Sequence, residues 1–170
     1  MTDRLYYRDA ELRTFEADVV ACEPDRDGRY RVVLDRTAFY PTSGGQPFDL
    51  GRLGPAAVID VVDRDDADIE HVVDQPLTIG ARVRADIDWH RRFDHMQQHT
   101  GQHMLSAAFD RTVRARTVGF HLGNDRSTID LAREATVEEI TAAEVEANRI
   151  VWENRPVAIR YATAEEAATL

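Results

Sequence analysis

Between residues 15 and 88 apolar and polar side chains alternate in short runs: FEADVVAC (15–22), RYRVVLD (29–35), AAVIDVVDR (56–64), DIEHVVD (68–74) and RVRADID (82–88). A period of two sends every second side chain to the same face, so each run predicts a half-buried β-strand. Turn-forming residues separate the runs: Gly28, residues 41–45, residues 51–55, then Pro76 and Gly80. Short strands at this spacing predict a small β-barrel or sandwich.

At Trp89 the period changes. A helical pattern runs to about Val113, strands are expected over residues 117–122 and 127–131, and a second helix opens on the capping box of Thr136 and Glu139. Its apolar stripe is Val137, Ile140, Ala147, Ile150 and Val151; Pro156 stops it, and VAIRYA (157–162) reads as a further strand. The expected architecture is α+β: a small N-terminal β-barrel domain over residues 1–88, then a two-layer α+β domain over residues 89–170 with helices on an antiparallel sheet.

Composition narrows the chemistry. The 170 residues carry no apolar run long enough for a membrane span and nothing resembling a signal peptide, so a soluble, cytoplasmic protein is expected, with no membrane partner. One cysteine, Cys22, precludes an internal disulfide and any Cys-rich zinc motif. The net charge of −10 argues against nucleic acid, yet residues 89–126 hold six arginines against three aspartates. That local basic island coincides with the histidines. The acidic residues Asp60, Asp63, Asp65, Asp66 and Asp68 lack the glycine and closing glutamate of a calcium loop and read as a solvated hairpin.

Three histidines, His95, His99 and His103, recur every four residues in DHMQQHTGQHMLSAAF. On a helix, residues four apart have Cβ atoms roughly 6 Å from each other, so His99 and His103 are placed to share one divalent ion. His95 lies about 12 Å from His103 along the axis and is a poor third ligand, expected as a surface or supporting histidine. The apolar residues that follow, Met104, Leu105, Ala107, Ala108 and Phe109, are expected to be largely buried. In AFYPTSGGQPFDLG (38–51), two prolines fix the backbone path, while Gly44 and Gly45 permit positive φ and close approach of a ligand or another backbone.

FYPTSGGQPFDLG, followed by MQQHTGQHMLSAAF, by GFHLG and by a helix ending NRIVWENRPV, resembles the free-standing alanyl-tRNA editing proteins and the editing domain of alanyl-tRNA synthetase, with a related domain in threonyl-tRNA synthetase. The resemblance runs over essentially the whole chain. It implies a β-barrel carrying the glycine-rich loop, a zinc-bearing α+β editing domain, and hydrolysis of serine or glycine mischarged on alanine-specific tRNA. His99 and His103 match the metal pair. Thr42, Gly44, Gly45 and Gln46 would face the acceptor end of the tRNA. Gln102, between the metal histidines, and His121, on a strand facing the helix, are the candidate catalytic residues, each with a plain structural alternative.

The resemblance also implies further zinc ligands from a Cys-x-x-x-His segment, which does not occur before Leu170. The expectation is therefore a partial Zn²⁺ site, with weak zinc binding and slow deacylation. A non-catalytic tRNA-binding or structural module remains the alternative, and an unrelated histidine-dependent metallohydrolase is a third reading. Oligomeric state is not legible.

Overall fold

The computed structural model describes all residues except 65–66, 124–125, 159–161 and 170. They form two compact units, Met1–His103 with Val118–Asp130, and Met104–Thr117 with Leu131–Leu170. The first part of the chain runs β1 (Asp3–Arg4), β2 (Thr14–Pro24), β3 (Tyr30–Leu34), β4 (Arg36–Thr37), β5 (Gly51–Leu53), β6 (Ala56–Arg64), β7 (Asp68–Val73) and β8 (Arg82–Ile87). Six of these close into an antiparallel barrel in the order β2-β3-β7-β6-β5-β8, and β1 pairs with β4 in parallel beside it.

The five alternating runs are the long strands, and their inward residues, among them Val19, Val32, Leu34, Val61, Ile69 and Val73, form the core. Register shifts near Val19/Ala21 and Val58/Asp60 add local twist, which helps a short sheet curl shut. The sixth strand corrects the expected turn at 51–55. Gly51–Leu53 pairs with both β6 and β8, and Leu53 is fully buried. Only glycine fits at its start, because a Cβ on Gly51 would lie 2.2 Å from the Asp86 carbonyl oxygen of β8. The turn itself shrinks to Gly54–Pro55.

The acidic hairpin holds the N-terminus rather than facing only solvent. Asp63 takes two hydrogen bonds from Arg4 at 2.6 and 2.8 Å, and Asp68 pairs with the terminal amine at 3.2 Å. Asp65 and Asp66 lie outside the described residues.

His71 sits inside the barrel with no exposed surface, its Nδ1–H donating to Val32 O (3.1 Å) and its Nε2 accepting from the Thr37 hydroxyl (2.8 Å). Both nitrogens are satisfied only in the neutral ring, and burial pushes its pKa down to about 4 from 6.5. Between those values the unfolded chain binds the proton and the folded one does not. The stability this group confers is therefore whole above pH 6.5 and is lost as pH falls towards 4. Urea unfolding is expected to show a loss of about 2 kcal/mol between pH 7 and pH 5 from this group, a component missing in His71→Gln. Identical pH dependence in the two proteins would refute the assignment.

After the barrel come α1 (Trp89–Val113), β9 (Thr117–Leu122), β10 (Ser127–Leu131), α2 (Val137–Trp152) and a short α3 (Ala164–Ala167). β9 and β10 form a two-stranded sheet, completing an α+β fold. The α2 capping box forms as expected: Glu139 N donates to Thr136 Oγ1 at 3.3 Å, and Thr136 N to the Glu139 carboxylate at 3.0 Å. The apolar stripe of α2 is only partly covered, whereas the α1 run after His103 is buried or half-buried except at Ala107. Val137, Ile140 and Val151 are exposed, Ala143 being the buried residue of α2, and in α1 Ala108 and Phe109 are buried while Ala107 is exposed. Of the strand expected over 157–162, residues 159–161 lie outside the described residues. Among the described residues no helix is long and apolar enough to cross a membrane.

Candidate functional site

One side of α1 presents Arg92, His95, His99 and His103 at helical spacings of three and four, so an arginine opens the row that the histidines continue. The His99 and His103 rings stack with centroids 4.9 Å apart at an interplanar angle of 24°. Two imidazoles bound to one zinc at about 2.0–2.1 Å place their centroids about 5 Å apart, so the spacing fits a shared ion. His103 is exposed and His99 partly buried. Burial and the neighbouring His103 both lower the pKa of His99, favouring the neutral ring that a metal requires.

The glycine-rich loop reaches this pair. Ser43 and Gln46 exchange backbone hydrogen bonds (3.1 and 2.9 Å) across Gly44 and Gly45, which take φ of 55° and 80°. Positive φ at both central positions is what a tight primed turn demands. Thr42 fastens the loop by accepting from Phe48 N at 3.2 Å. Gln46, 6% exposed, turns inward, and its amide oxygen lies 3.0 Å from His99 Nδ1. Since an amide oxygen only accepts, His99 carries its proton on Nδ1, and Nε2 keeps the lone pair.

β9 closes the other side with Phe120, whose ring centroid is 5.8 Å from that of His99 and 6.4 Å from that of His103. A Cβ on Gly45 would lie 2.5 Å from Phe120 Cζ, so the close approach of turn and strand requires glycine. Strand alternation sends the next residue, His121, to the opposite face, where it is exposed near Gly123. Gln102 is partly buried on α1 beside His103. His95 is not a surface histidine: it is 3% exposed, and its buried Nδ1 has no hydrogen-bond partner among the described residues.

The stem of the loop is bolted to the first turn of α1. Arg92, 2% exposed, donates from Nε to both oxygens of the fully buried Asp49 at 2.9 Å, and from its terminal nitrogens to Asp49, Ala38 O (2.5 Å) and Ala10 O (2.9 Å). Asp49 in turn accepts from Tyr40 N at 2.6 Å. Arg91 donates to Phe48 O at 3.1 Å and stacks over the Phe48 ring. Two of the six arginines of the basic island are thus committed to the loop, whereas Arg111, Arg114, Arg116 and Arg126 are exposed.

As a zinc site the donor set fits as far as it goes, with two imidazoles at the right spacing and one of them oriented by Gln46. Among the described residues no third His, Cys, Asp or Glu joins them.

The chain is similar to known proteins over most of its length. The chain is 39% identical to the alanyl-tRNA editing protein AlaX-M of Methanosarcina acetivorans, the alignment covering 98% of this chain and 72% of that protein. AlaX-M of Methanosarcina mazei is 37% identical over 98% of this chain and 70% of its own length. The alanyl-tRNA editing protein Aarsd1 of Mus musculus is 35% identical over 95% of this chain, which spans only 42% of that relative. No protein-family profile matches the chain.

Proposed function

Because the chain belongs to the alanyl-tRNA editing proteins, we propose that it hydrolyses the ester linking serine or glycine to mischarged alanine-specific tRNA, in trans and in the cytoplasm. The observation that carries this reading is the stacked His99–His103 pair, one ring of which is oriented by Gln46 from the glycine turn. His99 and His103 would hold zinc, which when bound supplies a positive charge beside the ester and an acidified water.

The remaining work falls to the chain. Ser43 and Gln46 make the hydrogen bonds of the turn, so the amides of Gly44 and Gly45 are the backbone donors available to the aminoacyl end. Phe120 would supply an apolar surface beside the pair, its ring lying 5.8 and 6.4 Å from the two imidazoles. Gln102 would contact the substrate from the helix. Arg111, Arg114, Arg116 and Arg126 would meet tRNA phosphates, making binding fall with salt.

The test is deacylation of alanine tRNA charged with serine, glycine or alanine, with and without added zinc. Hydrolysis of the serine and glycine esters well above the spontaneous rate, with alanine spared, is the expected result. The two-ligand donor set favours one other reading, a tRNA-binding module without hydrolysis. Tight tRNA binding with no hydrolysis at any zinc concentration would select it.

A further inference from the structure

Gln46 and His99 are 53 residues apart, yet a single hydrogen bond between them decides which nitrogen of the imidazole is free. The bonds within the loop, between Ser43 and Gln46 and between Phe48 N and Thr42, shape its tip but do not attach it to α1. That attachment comes from the buried ion pair at the loop stem, with the Arg91 hydrogen bond to Phe48 O beside it. Arg92 sits two turns before His99 on α1 and grips both strands of the stem, Ala38 on the incoming side and Asp49 on the outgoing side. Asp49 ties the two sides together through Tyr40 N, and Tyr40 O accepts from Asp49 N at 3.0 Å. The helix that presents the histidines is therefore also the helix that places the loop.

We propose that Asp49 and Arg92 are positioning residues for the histidine pair: their clamp holds Gln46 where its amide oxygen takes the Nδ1–H of His99, fixing the tautomer that presents Nε2 to a metal ion or substrate. The consequence for catalysis rests on the function proposed above; the consequence for the imidazole does not. A planar guanidinium fork is needed, because one head group must meet Asp49, Ala38 and Ala10 at once. Lysine keeps the charge and loses the fork.

The experiment compares Arg92→Lys, Gln46→Leu and Gln46→Glu with the unaltered protein. The His99 tautomer is read by long-range ¹⁵N–¹H NMR without metal, zinc affinity by titration of Zn²⁺ alone, and seryl-tRNA deacylation by steady-state kinetics. In the unaltered protein His99 should be protonated at Nδ1. Arg92→Lys and Gln46→Leu should each mix the tautomers and weaken zinc binding about 10- to 100-fold, the usual cost of losing a group that orients a ligand. Their kcat should fall while KM for tRNA holds, and Gln46→Glu, which still offers an acceptor, should retain the Nδ1–H form. If Arg92→Lys fails to fold, Asp49→Asn decides by the same readings, since it keeps the side-chain shape and the carbonyl partners of Arg92 while removing the counter-charge. An unchanged tautomer and zinc affinity in Gln46→Leu, or in a folded Arg92→Lys, would overturn the proposal. A protein that shows the tautomer effects but deacylates nothing would overturn the editing function and leave the positioning role standing.

Discussion

Replacing either His99 or His103 with alanine is expected to lower kcat/KM for seryl-tRNA deacylation about 100-fold or more, a rise of roughly 2.7 kcal/mol in the barrier. On the function proposed above, each ring would supply one of two nitrogens to a single ion, and one imidazole alone is a weak zinc ligand set. The cost to the fold is small by comparison. His103 is exposed, and His99 gives up one hydrogen bond, to Gln46, worth about 1 kcal/mol. Kinetics, bound zinc and thermal unfolding should be measured on the same samples. Activity and zinc content should collapse together while the melting transition stays. Full activity in both variants would place the chemistry away from the pair.

How much of this can be read from the chain depends on the range over which each feature is determined. The long barrel strands declare themselves locally, since alternation over five or more residues has no other economical solution. β5 does not, because three residues bounded by Gly51 and Gly54 look like a turn until β8 is there to pair with them. The helix carrying His99 and His103 is legible to its ends, and so is the spacing of the pair.

What surrounds the pair is not. β9 illustrates why: period-two alternation says that Phe120 and His121 face opposite ways, and nothing in GFHLG says which way either faces. Reactive chemistry draws attention to His121, whereas packing against Gly45 selects Phe120 for the side of the histidines. Arg92 and Asp49 present the same difficulty at longer range. Each looks like one more solvated charge in a chain rich in them, and only the closure of a loop 43 residues away makes them a buried pair. Gln46 reads as a tRNA contact only through the resemblance its loop carries, and its inward turn depends on α1, which lies 53 residues away in the chain.

That clamp should also dominate the stability of the first unit. Asp49→Ala is expected to cost about 3–5 kcal/mol, because it strands a guanidinium that is 2% exposed without its counter-charge. It also orphans Tyr40 N, which donates to the same carboxylate. A domain of this size has only about 5–15 kcal/mol to lose, so the variant should unfold at much lower urea. The double variant Asp49→Ala/Arg92→Met provides the control, since it removes the unpaired charge and fills part of the space with an apolar chain. It should be more stable than Asp49→Ala alone despite carrying one more substitution, as expected when two mutations touch the same buried pair. Urea midpoints for the three proteins at pH 7 decide the matter. A loss below about 1 kcal/mol in Asp49→Ala would mean that Arg92 is held by the carbonyls of Ala38 and Ala10, with the carboxylate contributing little.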